Sequence, residues 1–106
     1  MFTRIVSMQL KPNARREFTE LFEKEILPTL RKQEGFQEVL LSIDPGGPEV
    51  VAISLWLSKE NAESYSRATY PEVLNKLAKV IESNPRVKTF EVVSSTLHKS
   101  TERAAA

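Results

Sequence analysis

The chain has 106 residues, 41% of them hydrophobic, enough for one domain with a modest core near the lower end of comfortable size. Lys and Arg number 15 against 14 for Asp and Glu, and a formal charge of +1 lacks the concentrated basic charge that binds nucleic acid or acidic membrane surfaces. There is no cysteine, which excludes disulfides, thiolate nucleophiles and zinc-thiolate centres.

Residues 2 to 10 alternate, with Phe2, Val6, Met8 and Leu10 on one side and Thr3, Ile5, Ser7 and Gln9 on the other, which predicts a first strand. Pro12-Asn13 stops it, with Asn13 as the expected N-cap of a helix whose apolar positions Phe18, Leu21, Phe22, Ile26 and Leu30 run to about Gln33. Pro28 lies inside that pattern, lacks a donor and crowds the carbonyl of Lys24, so a kink is expected there. Gly35 fits the left-handed position that closes a helix, and Phe36 opens a second strand to about Ile43.

Asp44-Pro45-Gly46-Gly47-Pro48 is the densest turn signal and predicts a hairpin into a third strand, Glu49 to Leu57. Val51, Ile53, Leu55 and Leu57 form its expected inward set. The opposite set, Val50, Ala52, Ser54 and Trp56, is apolar enough to predict cover on both faces. Ser58 caps a short helix from about Lys59 to Arg67, and Tyr70-Pro71 starts another with Val73, Leu74, Leu77, Val80 and Ile81 on one side. Asn84-Pro85 ends it. A fourth strand follows from Val87 to about Leu97, with Phe90 and Val92 as core candidates.

The order strand, helix, strand, strand, helix, strand predicts a ferredoxin-like α+β fold, βαββαβ, with the helices on one face of a four-stranded antiparallel sheet. One domain spans residues 1–98, and the tail 99–106, without apolar period, is expected to be frayed. The N-terminus alternates like a strand and lacks the apolar core and cleavage site of a signal peptide. No later apolar run approaches the roughly 20 residues that span a bilayer, so the expectation is a soluble cytoplasmic protein without a membrane partner.

Arg31-Lys32-Gln33-Glu34-Gly35-Phe36, the Pro-Gly hairpin, the strand ending in Leu55-Trp56, Ser58-Lys59-Glu60 followed by Tyr65, and the helix containing Pro71 together resemble the antibiotic biosynthesis monooxygenase family over nearly the whole chain. The resemblance implies a homodimeric α+β barrel with two sheets face to face, and a pocket in each subunit between sheet and helices. It also implies oxygenation of a small aromatic or quinol-like substrate with no cofactor and no metal. The family's haem-degrading branch relies on an asparagine in the first strand, an aromatic early in the second helical segment and a histidine about ten residues later. Val6 or Ser7, Tyr65 and Asn75 occupy those places here, so the iron ligand of that branch is missing.

The candidate substrate-binding residues are Arg4, Trp56, Tyr65, Tyr70 and Asn75; no catalytic residue is assigned. Arg4 interrupts the apolar set of the first strand, where a guanidinium requires an anion, a carbonyl or water, so either a salt bridge or a substrate carboxylate would satisfy it. Trp56, at a strand-to-helix junction, serves either as a core anchor or as a pocket wall, and its indole N–H needs a partner if buried. Tyr65 and Tyr70 flank the break in the second helical segment and could present hydroxyls to a pocket or simply pack.

His98, the only histidine, follows the fourth strand and is expected to be exposed. A triad with Asp44, the sole aspartate, is unsupported because the hairpin already explains that residue. Glu38 and Glu91 sit in strands, where solvent-facing charge is the ordinary role. RNA-recognition domains share this element order but need exposed aromatics with glycine and basic residues on the third strand, and residues 50–55 have neither. The other function class compatible with the sequence is a non-catalytic dimer that binds a small apolar metabolite or has a structural role.

Overall fold

In the computed structural model, which describes residues 1–96, the alternating N-terminal segment is strand β1 (Phe2–Gln9). It is followed by α1 (Arg15–Leu21), a π-helical turn (Phe22–Ile26) and α2 (Leu27–Arg31), then by β2 (Phe36–Ile43), β3 (Glu49–Trp56), α3 (Lys59–Ala68), α4 (Tyr70–Leu77) and β4 (Arg86–Glu91). The antiparallel sheet has the order β2-β3-β1-β4, so the two central strands are β3 and β1, and the fold is the ferredoxin-like α+β arrangement. His98 and the tail expected to fray lie outside the described residues.

The local chemistry of the turns explains most boundaries. Asp44 closes the hairpin: its Oδ1 accepts the Gly46 N–H at 3.0 Å, and its own N–H reaches the Glu49 carbonyl at 2.9 Å. Gly35 takes φ 81°, the left-handed conformation that glycine adopts without a Cβ penalty. Ser58 caps α3 reciprocally, with Oγ accepting the Asn61 N–H at 3.1 Å while its hydroxyl donates to Asn61 Oδ1 at 2.8 Å. Pro71 stands in the first turn of α4, where its missing donor is not needed.

Four expectations are corrected. Asn13 does not cap α1; it takes φ 62°, turning the chain, and the N-cap is Ala14 without a side-chain bond. The irregularity expected at Pro28 takes the form of the π-helical turn just before it, where the Leu27 N–H reaches back five residues to the Phe22 carbonyl. On β3 the helix-facing set is Val50, Ala52, Ser54 and Trp56, with Val50 and Trp56 fully buried, whereas Val51, Ile53 and Leu55 lie on the helix-free face and Leu57 is exposed. β4 ends at Glu91 and is exposed throughout; Phe90, expected in the core, points to the helix-free face in register with Thr3 and is half exposed, and Val92 is only half-buried.

The core therefore lies between one sheet face and the helices. Val6 and Met8 from β1, Leu10 just beyond it, and Val50 and Trp56 from β3 pack beneath Phe18, Phe22, Ile26 and Leu30, with Ala62, Tyr65, Val73 and Leu77 from α3 and α4. Positions four apart advance by roughly 40° beyond a full turn in an α-helix. The π-helical turn takes up part of that drift, so that Phe18, Phe22, Ile26 and Leu30 all remain on the core side. No described helix is long and apolar enough to cross a membrane.

Candidate functional site

Arg4 is the polar residue that the apolar face of β1 buries. Side chains alternate across a strand, so Arg4 shares its face with Val6 and Met8 and sits under α3 and α4, only 3% exposed. Its Nε donates to Ser66 Oγ on α3 at 3.0 Å, and its Cζ lies 4.0 Å from the Tyr70 ring centroid and 5.2 Å from that of Tyr65. These are cation–π distances, and the two ring faces solvate the charge in part. Among the described residues no carboxylate pairs with Arg4; an ion pair of Lys76 with Glu25 at 3.2 Å is on the outside.

Tyr65 is held from the opposite side. Its ring stacks on Trp56 at 5.1 Å and 28°, Trp56 meets Phe36 edge-on at 5.6 Å, and Tyr70 lies 6.0 Å from Tyr65. Trp56 Nε1 donates to Ser54 Oγ at 2.9 Å, and Ser54 in turn donates to the Arg4 carbonyl at 3.3 Å. The indole donor is thus satisfied inside the sheet, and its orientation fixes Tyr65. Tyr70 differs: its Oη is buried and makes no well-formed hydrogen bond among the described residues, although the Arg4 guanidinium over its ring is near enough to favour the ionised phenol.

Between these groups and the first helical segment is a cavity of about 40 Å³. Arg4, Ser54, Tyr65 and Tyr70 form its polar end; Val6 and Met8 of β1, Val39 and Leu41 of β2, Phe18 and Phe22, and Val73 and Leu77 supply apolar wall. A water needs at least roughly 10–15 Å³ by this measure, so the cavity has room for no more than a few waters, and a ring-sized ligand requires side chains to move. Met8, unbranched and adaptable, and the half-buried Val39 and Leu41 are the wall members best able to do so.

Burial makes both tyrosines weak acids. It pushes Tyr65 up to about 12 and raises Tyr70 as well, with the Arg4 charge opposing but not cancelling the effect. At neutral pH both are neutral phenols, able to donate hydrogen bonds but not to act as bases. No carboxylate or histidine is among the described residues lining the cavity.

Arg4, Tyr65 and Tyr70 are thus brought together at the polar end of the cavity. Trp56 is adjacent but behind Tyr65, fully buried and outside the cavity lining. Asn75 is exposed on α4 and does not reach the group. Ser54 and Ser66 were not singled out from the sequence, since an isolated serine carries no pattern; the available signal was that Ser54 faces Arg4 in the β1–β3 register and likewise interrupts an apolar set.

A cavity between an antiparallel sheet and its helices, with a strand-end tryptophan backing a tyrosine, can be compared with known proteins. No curated protein matches the chain. Among solved structures, a monooxygenase from the gene ActVA-Orf6 of Streptomyces coelicolor, in complex with the ligand nanaomycin D, superposes with a TM-score of 0.75 at 16% identity, over 89% of this chain and 88% of that one. Rv0793 from Mycobacterium tuberculosis gives a TM-score of 0.71 at 17% identity over 90% and 97%. A conserved protein from Methanosarcina mazei gives 0.69 at 20% over 86% and 92%. At such identities the likeness establishes the fold. The model of the antibiotic biosynthesis monooxygenase family matches residues 1–70, which carry β1 to α3 and with them Arg4, Trp56, Tyr65 and Tyr70, and the chain belongs to that family.

Proposed function

We propose that the protein is a monooxygenase of the antibiotic biosynthesis type that acts, without cofactor or metal, on a small aromatic or quinol-like substrate held between the sheet and the helices. The observation that carries this is the polar end of the cavity: a buried guanidinium with no carboxylate partner, beside a buried hydroxyl that makes no well-formed hydrogen bond, both among the described residues. Such groups are costly to bury unless something pairs with them, and a phenol or enol oxygen would.

The residues suit a reaction in which the substrate supplies its own electrons. Arg4 stabilises negative charge on a substrate oxygen and so favours loss of its proton to water, while Tyr65 and Tyr70, kept neutral by burial, donate hydrogen bonds. The apolar walls exclude bulk water from the ring. The substrate carbanion reduces dioxygen; one oxygen atom enters the product as a carbonyl, the other leaves as water, and the methylene or ring C–H carbon loses four electrons in total. Trp56 positions Tyr65 from behind. Anaerobic incubation abolishes turnover of a suitable quinol, and turnover that continues unchanged without dioxygen refutes the oxygenase chemistry.

The protein works as a homodimer under the same proposal. The helix-free face of the sheet presents Ile5, Leu40, Val51, Ile53, Leu55 and Phe90, with Leu40 62% exposed, and isologous pairing of two such faces would cover them. Sedimentation should give a mass twice that of the chain, reduced to the monomer by Ile53→Lys. A second reading, a non-catalytic small-ligand binder, is favoured by the small cavity and its lack of a carboxylate or histidine base among the described lining residues. Ligand binding without oxygen consumption would establish it.

A further inference from the structure

We infer that Arg4 is the counterion for a single negative charge on oxygen in an otherwise apolar ligand, with the Tyr70 hydroxyl donating to the same group. This deepens the function proposed above, since it takes the cavity between sheet and helices as the ligand site; it does not require that the ligand be oxidised.

A guanidinium has five N–H donors. Nε of Arg4 uses one on Ser66, the guanidinium lies close enough to Tyr70 to favour its ionised form, and among the described residues no carboxylate pairs with it, although the residue is 3% exposed. Stacking against Tyr70 and Tyr65 disperses the charge but neutralises none of it. Arg4 is also the sole cation among the described lining residues, so the cavity balances one negative charge and not two. The Tyr70 Oη, without a well-formed hydrogen bond among the described residues, is buried at the same end, and its donor is the second polar contact left open.

Everything beyond that end is apolar: Phe18, Phe22, Leu41 and Val73 offer dispersion contact but no hydrogen bond to a second polar group. A neutral ligand would leave the guanidinium uncompensated in a low-dielectric interior, and a dianion would exchange one uncompensated charge for another. Both an ionised phenol or enol and a carboxylate have the required chemistry, and the two are separable by experiment.

The test compares matched probes by calorimetry on the intact protein: naphthoate against naphthamide, and para-nitrophenol against its methyl ether, with the phenolate followed by its visible absorbance. Naphthoate is expected to bind at least tenfold more tightly than the amide if carboxylates are accepted. Nitrophenol is expected to bind as the phenolate, its ionisation moved down by at least about one pH unit, which equals a tenfold preference for the anion. Either pair behaving so supports the inference and identifies the oxygen acid. Arg4→Gln should remove the preference, and Tyr70→Phe should keep it but weaken anion binding about tenfold. Equal binding of charged and neutral partners in both pairs, no binding of any probe at millimolar concentration, or a preference retained in folded Arg4→Gln would overturn it. Should Arg4→Gln fail to fold, Tyr70→Phe decides, because it lacks only one oxygen, and unchanged anion affinity there overturns the assignment. Anion binding without oxygen uptake would remove the oxygenase chemistry while leaving Arg4 as the counterion; oxygen uptake without anion preference would do the reverse.

Discussion

Replacing Ser54 with alanine removes one oxygen atom and should cost more than its size suggests. Trp56 is fully buried and its indole N–H has Ser54 Oγ as its partner at 2.9 Å, a bond made inside a site only 6% exposed. In Ser54→Ala the donor remains buried with nothing to accept from it, and an unsatisfied buried donor costs about 1–3 kcal/mol. The weaker 3.3 Å bond from Ser54 to the Arg4 carbonyl adds little to that figure. For a domain of about 100 residues this corresponds to a fall in Tm of at least about 4 °C. Urea denaturation followed by indole emission is a direct assay, because the chain has a single tryptophan and the signal comes from the perturbed group itself. The decisive comparison is a double-mutant cycle: in the Trp56→Phe background no donor is left stranded, so Ser54→Ala should cost less than about 0.5 kcal/mol by circular dichroism. A cost that is the same in both backgrounds, or a single variant within about 0.5 kcal/mol of wild type, would refute the reasoning.

Gly35→Ala should destabilise by more than about 1 kcal/mol with an unchanged denaturant slope, since φ 81° disfavours a side chain and the added Cβ would run into the side chain of Asn61. Alkaline stability should depend on Tyr65. Its folded pKa of about 12 lies above the ordinary 10.0, so its contribution is complete below pH 10 and is lost as pH rises from 10 through 12, by on the order of 2–3 kcal/mol. Denaturation midpoints at pH 9 and pH 11.5 measure this slope, and Tyr65→Phe should flatten it. Tyr70→Phe in the ligand-free protein should stabilise by up to about 1 kcal/mol, because it removes a buried hydroxyl that makes no well-formed hydrogen bond among the described residues; a measured loss of stability would show that the hydroxyl is satisfied.

The order of elements was legible because each boundary is written in local chemistry: the turn residues 44–48, glycine at 35, and the serine cap at 58 act within a few residues of themselves. Which face of β3 meets the helices was not legible. Period-two alternation separates Val50, Ala52, Ser54 and Trp56 from Val51, Ile53 and Leu55, but both sets are largely apolar, and only the register with β1, where Arg4 faces Ser54, settles which set lies under the helices. Pro28 announced an irregularity in the first helix without saying that it would take the form of a π-helical turn one step earlier. At the candidate site, Arg4 stood out because a charge in an apolar set demands an explanation. The tyrosines stood out because they flank a helix break. Trp56 drew attention to the right neighbourhood, yet its place behind Tyr65 depends on tertiary packing that no spacing encodes. Asn75, placed in the site by resemblance to a relative's histidine, falls on the exposed side of α4 because the helix turns its apolar set, Val73 and Leu77, inward.

The most direct test of the proposed chemistry is turnover of a quinol by metal-free protein under isotopically labelled dioxygen, with the product analysed by mass spectrometry. The account predicts one labelled oxygen atom in each product molecule, one dioxygen consumed per turnover, and loss of both in Arg4→Gln. Product that carries only solvent oxygen, or labelling that persists undiminished in folded Arg4→Gln, would contradict it.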